Sequence, residues 1–315
     1  MLALSRGIKE GKTMSKIVDG RGKEHRFGGS WTEIKLELLR DYLAAYTIAL
    51  KNQPFTKGYI DAFAGTGYRT LGAEAQDPGP LFPDLAGDEA QGLLDGSARL
   101  ALKVDPVFDK YVFIDKSAER CRILEGLREE FSHLADRITV RQGDANVEIR
   151  GLCGKNWKAH RAVLFLDPYG MQVEWETIEA IARTAAIDLW LLFPLGIGVN
   201  RLLTRSGQIP EGWQRRLDLL LGTHEWLEKL YEVSESPQGN LFGEPEELVS
   251  KRPVEAIGRF FNDRLKSIFA GVVDEPVVLR NSANCPLYLL CFAAANKRGA
   301  PIALRIANDL MKGLR

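Results

Sequence analysis

Four aspartates, each at or just beyond the end of a strand-like apolar run, are the residues of this chain best suited to ligand chemistry. They are Asp61, Asp115, Asp144 and Asp167. An ionised carboxylate offers two acceptor oxygens and no competing donor, which suits it to hydroxyl and amino groups. Ligands of open parallel sheets bind beyond the carboxyl ends of the strands, so we expect the four carboxylates along one rim of a sheet. Each aspartate taken alone has a second interpretation as a turn former or a helix N-cap.

A glycine-containing turn follows the first of these aspartates. The segment is Tyr59-Ile-Asp-Ala-Phe-Ala-Gly-Thr-Gly67, an apolar run that passes into two glycines one residue apart. Glycine permits positive φ and, because it lacks Cβ, a close approach of the main chain to a ligand. Thr70 stands where the dinucleotide-binding fingerprint has its third glycine. The turn therefore predicts either a close contact with another kind of ligand or a plain end to a strand.

The order and separation of the four strand ends resemble the S-adenosylmethionine-dependent methyltransferases of the Rossmann-like class. The resemblance implies that S-adenosylmethionine is the cofactor. It implies that the turn at Ala64, Gly65 and Gly67 passes under the methionine part of the cofactor, with Asp61 nearby.

The same resemblance assigns the second and third strand ends to the nucleoside part of the cofactor. Asp115 corresponds to the acid that accepts hydrogen bonds from both ribose hydroxyls. Asp144 corresponds to the acid near the adenine amino group, with the Ala145 backbone beside it. The alternative for Asp115 is an N-cap of the helix that follows it.

The fourth strand end, Asp167-Pro168-Tyr169-Gly170, corresponds to the motif that faces the methyl acceptor. It is similar to the Asp-Pro-Phe-Gly form of tRNA guanine amino-methyltransferases and lacks the second proline of Asp-Pro-Pro-Tyr. The resemblance implies that Asp167 and the Pro168 carbonyl accept hydrogen bonds from an exocyclic amine. It also implies that the Tyr169 ring stacks on an extruded base. The departure leaves the identity of the base open, and Tyr169 has a second interpretation as a packing aromatic.

From about Gly28 onward the chain resembles the bacterial three-Cys-motif partner family, whose members are similar to such methyltransferases. The name describes a genomic partnership, and the family implies a fold and a cofactor but no substrate. The four cysteines of this chain do not themselves make a three-cysteine motif. The matching segments are Trp31–Leu50, Tyr59–Gly67, Tyr111–Asp115, Leu166–Gly170, and Leu191–Gly196 with Asn200 and Arg201.

The helix and strand patterns around these residues predict an α/β fold. We expect a Rossmann-like, seven-stranded, mostly parallel sheet with an antiparallel last strand and helices on both faces. Runs at 275–280 and 286–292, joined by a polar turn, predict the closing hairpin. Residues 200–270 are predicted as a helical insertion after the fifth strand. An apolar stripe at helical spacing predicts a helix over Trp31–Leu50, and Lys35 near its first turn is expected to be solvated, with the cofactor pocket as the alternative.

Charge and composition divide the chain into a basic tail and one domain. Residues 1–27 are basic and rich in glycine, which predicts a flexible tail, and residues 28–315 are predicted as a single domain. Residues 71–96 are acidic and rich in proline and glycine, typical of a lid over a site or of a plain insertion. A helix is predicted to begin near Ser97.

Several classes of protein are disfavoured by the composition. The net charge is zero, which counts against a tight nonspecific nucleic-acid binder. No apolar run reaches membrane-spanning length, and the first residues lack the apolar core of a signal peptide. The cysteines and histidines have no metal-type spacing, so we expect no metal site. Reduced thiols in a cytoplasm are the simplest interpretation.

The combined expectation is an S-adenosylmethionine-dependent methyltransferase that acts on an amino nitrogen of an RNA or DNA base. Two alternatives stay open at this point. One is a methyltransferase acting on protein or a small molecule, which the acidic 71–96 segment favours. The other is a non-catalytic relative that binds the cofactor or a partner protein. The sequence leaves the oligomeric state undetermined.

Overall fold

Strands that are apolar on both faces form the centre of the fold, as expected for a parallel sheet covered by helices on either side. The computed structural model describes residues 17–18, 24–25, 31–62, 89–168, 170–235 and 247–314. The strands are β1 Ile17–Val18, β2 Glu24–His25, β3 Thr56–Ala62, β4 Lys110–Asp115, β5 Ile138–Gln142, β6 His160–Leu166, β7 Ile187–Phe193, β8 Tyr231–Glu235, β9 Glu247–Lys251, β10 Gly271–Val272, β11 Val277–Arg280 and β12 Pro286–Ala294. The helices are α1 Trp31–Ala49, α2 Glu89–Leu102, α3 Ala118–Glu130, α4 Ala145–Cys153, α5 Trp175–Arg183, α6 Asn200–Leu202, α7 Glu211–Leu221, α8 Trp226–Leu230, α9 Val254–Ile268 and α10 Ala300–Met311.

The strand order of the main sheet confirms the predicted topology. Five strands run parallel in the order β7, β6, β3, β4 and β5. Strand β12 pairs antiparallel with β7, and β10 and β11 both pair with β12. The predicted antiparallel last strand and its hairpin partner are therefore present. The sheet has eight strands where seven were predicted, because the two-residue β10 adds a short pairing to the end of β12.

Alternating side chains divide the interior into two cores, one on each face of the sheet. One core joins Tyr59, Phe113 and Phe165 to helices α1, α2, α3 and α10. The other joins residues of opposite alternation, such as Ile60 and Ile114, to helices α4, α5, α7, α8 and α9. The result is a three-layer α/β/α arrangement, as predicted for the Rossmann-like class.

The insertion after β7 is helical, as predicted, but it also contains a two-stranded antiparallel ladder. Strand β8 pairs with β9, and Val233 lies opposite Val249. The prediction that residues 200–270 form a helical insertion was therefore wrong for the segments of β8 and β9. Residues 247–251 are extended, and α9 begins only after Pro253. Proline at a helix start fits there because its missing N–H would have no intrahelical partner.

Two further boundaries differ from the predicted ones. Helix α2 begins at Glu89, so the prediction of a helix start near Ser97 was wrong, and residues 89–96 of the predicted acidic loop are helical. Strands β1 and β2 pair antiparallel within the segment predicted as a basic tail. The rest of that tail and residues 71–88 lie outside the described residues. Among the helices that the structure describes, none is long and apolar enough to cross a membrane.

Candidate functional site

The register of the sheet brings two of the predicted aspartates to the same level at its carboxyl rim. Ala62, the last residue of β3, lies opposite Ile114 on one side and Leu166 on the other. Asp115 and Asp167 each follow those partners by one residue, so they flank the end of β3. Neighbouring strands are about 4.8 Å apart, which puts the two main-chain positions roughly 10 Å from each other. The predicted glycine turn follows Ala62 in the sequence and lies outside the described residues.

Asp115 is a buried carboxylate with one oxygen bonded and one oxygen without a hydrogen bond. The residue is 2% exposed. Its Oδ1 accepts a hydrogen bond of 2.7 Å from the Ser117 N–H. Its Oδ2 is buried, lies 3.9 Å from Arg120 Nε, and has no hydrogen-bond partner among the described residues. Burial raises the pKa of Asp115, and the Ser117 N–H and the Arg120 charge oppose that rise.

The capping role that was the alternative for Asp115 belongs to another residue. Ser117 is the N-cap of α3, and its hydroxyl accepts from the Arg120 N–H at 3.4 Å. Asp115 therefore supports the cap through the Ser117 N–H but is not the cap itself. Its second oxygen is left without a hydrogen bond among the described residues.

Asp61 lies one residue before the end of β3 and is held by two hydroxyl groups. It is 1% exposed, and Tyr59 Oη donates to its Oδ2 at 3.0 Å. Burial raises the pKa of Asp61 to about 7; hydrogen bonds from Ser97 and Tyr59 oppose the rise, while the charge of Asp167 adds to it. Asp61 and Asp167 are thus close enough to influence each other. Burial therefore favours the neutral form of the Asp61 carboxyl group.

Lys35 on α1 forms an ion pair with Asp167. Its Nζ lies 2.5 Å from Asp167 Oδ2. The Lys35 side chain is 1% exposed, whereas the Asp167 side chain is 25% exposed. The expectation that Lys35 is solvated was therefore wrong, and the alternative, that it faces the site, fits the geometry. The ammonium also lies 5.3 Å from the Trp31 ring centroid and 5.9 Å from that of Phe165, distances at which an aromatic ring attracts a cation.

A signal for the burial of Lys35 was present in the sequence. It lies three and four residues before Leu38 and Leu39, on the same helical stripe as Tyr42. A lysine on an apolar stripe is buried only where a partner neutralises it. The partner, Asp167, follows β6, a strand that no local pattern connects to α1.

Asp144 and Ala145 lie at the start of α4, beyond the end of β5. Asp144 is the N-cap, and its Oδ1 accepts from the Val147 N–H at 3.2 Å. Ala145 is buried and begins the helix. The Gly143 N–H donates to the Asp115 carbonyl at 3.0 Å, which ties this corner to the end of β4. The capping interpretation of Asp144 is therefore correct, and its role near an adenine group stays a prediction.

The segment that follows Asp167 is held in place by hydrogen bonds to a side chain of α4. Pro168 is buried, and Gly170 has a φ of +79°, which favours glycine. The Asn146 side chain donates to the Gln172 carbonyl at 2.9 Å and accepts from the Glu174 N–H at 3.0 Å. The main chain near the candidate acceptor site is therefore fixed to the scaffold.

A single turn of π-helix, Leu195–Val199, extends the rim beyond β7. Such turns are rare and are frequently found at functional sites. Gly196 packs directly against the start of β12, because a Cβ there would lie 1.8 Å from the Pro286 carbonyl oxygen. Leu191–Gly196 resembles a segment of the three-Cys-motif partner family, but no pattern in the sequence indicates the π-helical geometry.

Four of the predicted site residues lie outside the described residues. They are Ala64, Gly65, Gly67 and Tyr169. Their assignments therefore stay predictions. The structure brings Asp61 and Asp167 together and adds Lys35 to them, with Asp115 across the end of β3. In the part of the chain that the structure describes, no three His, Cys, Asp or Glu side chains form a group that could hold a metal ion.

Comparison with known proteins gives distant structural likenesses. No protein-family model and no curated protein matches the chain. A Legionella pneumophila protein, LPL1258, is 13% identical, with a TM-score of 0.36 and coverage of 73% of this chain and 91% of its own. A methyltransferase from Geobacter sulfurreducens is 14% identical, with a TM-score of 0.27 and coverage of 69% and 78%. Likenesses at this level carry no argument about the reaction, so that argument has to come from the geometry of the site.

Proposed function

We propose that the chain is an S-adenosylmethionine-dependent methyltransferase whose acceptor is an amino nitrogen of a nucleic-acid base. The observation that carries the proposal is the buried Asp115 Oδ2, which lacks a hydrogen-bond donor among the described residues. Leaving a buried charged acceptor without a donor costs about 1–3 kcal/mol or more. Such an atom at the carboxyl rim of a parallel sheet is well placed to accept from a ligand hydroxyl.

The topology supports this cofactor over a dinucleotide. The antiparallel β12 lies between β7 and β11, as the resemblance to methyltransferases predicted. A nicotinamide-binding fold would not require that strand. The glycine spacing after β3 also departs from the dinucleotide fingerprint at Thr70.

The residues at the rim fit the parts of S-adenosylmethionine in the predicted order. Asp115 would hold the ribose, and the Asp144–Ala145 corner would lie beside the adenine. The turn at Ala64 to Gly67, with Asp61, would lie beside the methionine part. When bound, this cofactor supplies a methyl group already activated on a sulfonium.

The acceptor side of the site consists of Asp167 and the residues that fix it. Lys35 holds Oδ2 at 2.5 Å, so the direction of the carboxylate is set before a substrate arrives. The Asp167 side chain is 25% exposed, so it can accept a hydrogen bond from an amino N–H and stabilise the positive charge that develops on nitrogen. Because catalysis of this kind depends mainly on alignment, a preset carboxylate is an effective contribution from the protein.

A nucleic-acid base is supported as acceptor by the likeness of Asp167-Pro168-Tyr169-Gly170 to motifs of base amino-methylating enzymes. The Asp167 carboxylate and the buried Pro168 lie at the end of β6 as that assignment requires. The role of Tyr169 as a stacking ring belongs to the same proposal.

The test is methyl transfer from labelled S-adenosylmethionine to total RNA and to genomic DNA, with digestion to nucleosides. The expected result is a labelled base carrying a methylamino group. Asp167→Ala and Asp167→Asn are expected to bind S-adenosylhomocysteine with nearly wild-type affinity but to transfer about 10²–10³-fold more slowly, as for other losses of a preorganised polar group. Asp136→Ala, which removes an exposed carboxylate before β5, serves as the control.

Two results would contradict the proposal. A wild-type protein that binds the cofactor but labels no nucleic acid would exclude a base as acceptor and favour a protein or small-molecule substrate. Transfer at the wild-type rate by a folded Asp167→Asn protein would remove Asp167 from the acceptor site.

A further inference from the structure

The charge of the acceptor site is already balanced before any substrate binds. Asp167 carries the one carboxylate that the proposed function places against the methyl acceptor. Its Oδ2 is 2.5 Å from the Lys35 ammonium, which is 1% exposed and so is shielded from bulk water. A buried lysine with so close a carboxylate partner is a fixed positive charge behind the acceptor carboxylate.

The surroundings of this pair offer little compensation for a second positive charge. Among the described residues, the Asp61 carboxyl group also interacts with Asp167; burial raises the pKa of Asp61 to about 7, and Tyr59 Oη already donates a hydrogen bond to it at 3.0 Å. The Trp31 and Phe165 rings lie on the lysine side of the pair. Lys35 already neutralises much of the charge of Asp167, so this carboxylate would attract an incoming cation only weakly. The Lys35 ammonium would also repel the cation.

We propose that Lys35 makes the Asp167 site select an uncharged amino group and reject an ammonium group. The inference rests on the proposed function and narrows its substrate class. Alkyl amines such as the lysine side chain, with a pKa near 10.4, are ammonium ions at neutral pH. Exocyclic amino groups of nucleobases are uncharged donors. The pair therefore favours aromatic amines and disfavours lysine side chains and amino termini.

Methyl transfer to nitrogen likewise requires an uncharged amine. The nitrogen attacks the methyl carbon with its lone pair, so a carbon–nitrogen bond forms while the sulfur–carbon bond breaks and its electron pair stays on sulfur. The methylated nitrogen then releases one proton to water. An uncharged amine has that lone pair and an N–H to donate to Asp167. An ammonium ion has no lone pair and would first have to lose a proton beside Lys35.

The experiment compares two small amines of similar size bound to the protein in the presence of S-adenosylhomocysteine. Aniline is the uncharged probe and n-butylamine, an ammonium ion at pH 7, is the charged one. Dissociation constants are measured by ligand-observed NMR. Wild-type protein is expected to bind aniline at least about 10²-fold more tightly than butylammonium, since like charges in one site cost several kcal/mol.

Variants of Lys35 identify the origin of the selection. Lys35→Met removes the charge at similar length and is expected to tighten butylammonium binding by about 10–100-fold. Lys35→Arg keeps the charge and should keep the wild-type ratio. Equal affinities for the two probes in wild-type protein would overturn the inference, as would an unchanged ratio in Lys35→Met.

The design keeps this inference distinct from the proposed function. If Lys35→Met does not fold, equal affinities for the two probes in wild-type protein would still overturn the inference. A protein that shows the ratio but methylates no amine would contradict the proposed function and not the charge selection. A protein that methylates a base amine yet binds the two probes equally would contradict only the role of Lys35.

Discussion

Replacement of Asp115 by asparagine should change cofactor affinity and protein stability in opposite directions. Asparagine keeps an acceptor oxygen for the Ser117 N–H but removes the negative charge. Loss of a charge-assisted hydrogen bond to a ligand hydroxyl is worth about 1.5–3 kcal/mol. At 1.4 kcal/mol for each factor of ten, the dissociation constant should rise roughly 10- to 150-fold.

The stability of the free protein should respond differently. Asp115 Oδ2 is buried without a hydrogen-bond donor among the described residues, and burial raises the pKa of this carboxyl group. Removing a buried charge that is only partly compensated relieves a desolvation penalty. We therefore expect the melting temperature without ligand to stay unchanged or to rise. A purely structural aspartate would show the opposite, a lower melting temperature with no specific loss of affinity.

The assay pairs calorimetric titration with S-adenosylhomocysteine and thermal denaturation of the free protein. Asp136→Asn is the matched control, because it neutralises an exposed carboxylate just before β5, at the opposite end of that strand from the rim. The control should bind like wild type. A folded Asp115→Asn protein with wild-type affinity would refute the assignment of Asp115 to the cofactor.

Four further predictions concern stability. Asp167→Asn should lower the melting temperature more than Lys35→Met does, because the first leaves a fully buried ammonium without its partner and the second leaves a carboxylate that is 25% exposed; equal effects in thermal denaturation would contradict this. Asp188, buried against Tyr42 at 2.7 Å, has its pKa raised to about 7 by burial. Its folded pKa exceeds the unfolded value, so its contribution to stability is present at low pH and is lost as pH rises from about 4 to about 7. Asp188→Asn should flatten the pH dependence of the free energy of unfolding between about pH 4 and pH 7. An unchanged slope would contradict a raised pKa of Asp188. Gly196→Ala should destabilise by about 1–3 kcal/mol or more in chemical denaturation, since its Cβ would meet a carbonyl oxygen of β12 at 1.8 Å. Gly212→Ala, in α7 with no atom within 4 Å of the added Cβ, should stabilise by up to about 1 kcal/mol.

The central strands could be predicted because their signals are local. Ala162–Leu166 is a continuous apolar run that ends in Asp167 and proline, and it forms the buried β6. The closing hairpin could also be predicted, because two apolar runs flank a short polar turn. The placement of the acidic strand ends along one rim then followed from the rule that ligands bind at the carboxyl ends of parallel strands.

The parts that escaped prediction depend on contacts between distant segments. Lys35 and Asp167 are 132 residues apart, and only the packing of α1 across β6 brings them together. The β8–β9 ladder was predicted as part of a helical insertion. A short run such as 247–251 fits the spacing of a helix or of a strand until its partner strand is known. The Asp188–Tyr42 contact is likewise a tertiary one, 146 residues apart.

The central claim is that the carboxyl rim around Asp115 and Asp167 binds S-adenosylmethionine. A crystal structure of the chain grown with S-adenosylhomocysteine tests it most directly. We expect the ribose hydroxyls within hydrogen-bond distance of Asp115 Oδ2 and the homocysteine sulfur facing Asp167. A ligand bound elsewhere, a ribose turned away from Asp115, or no binding at millimolar concentration in the crystal and by calorimetry would contradict it.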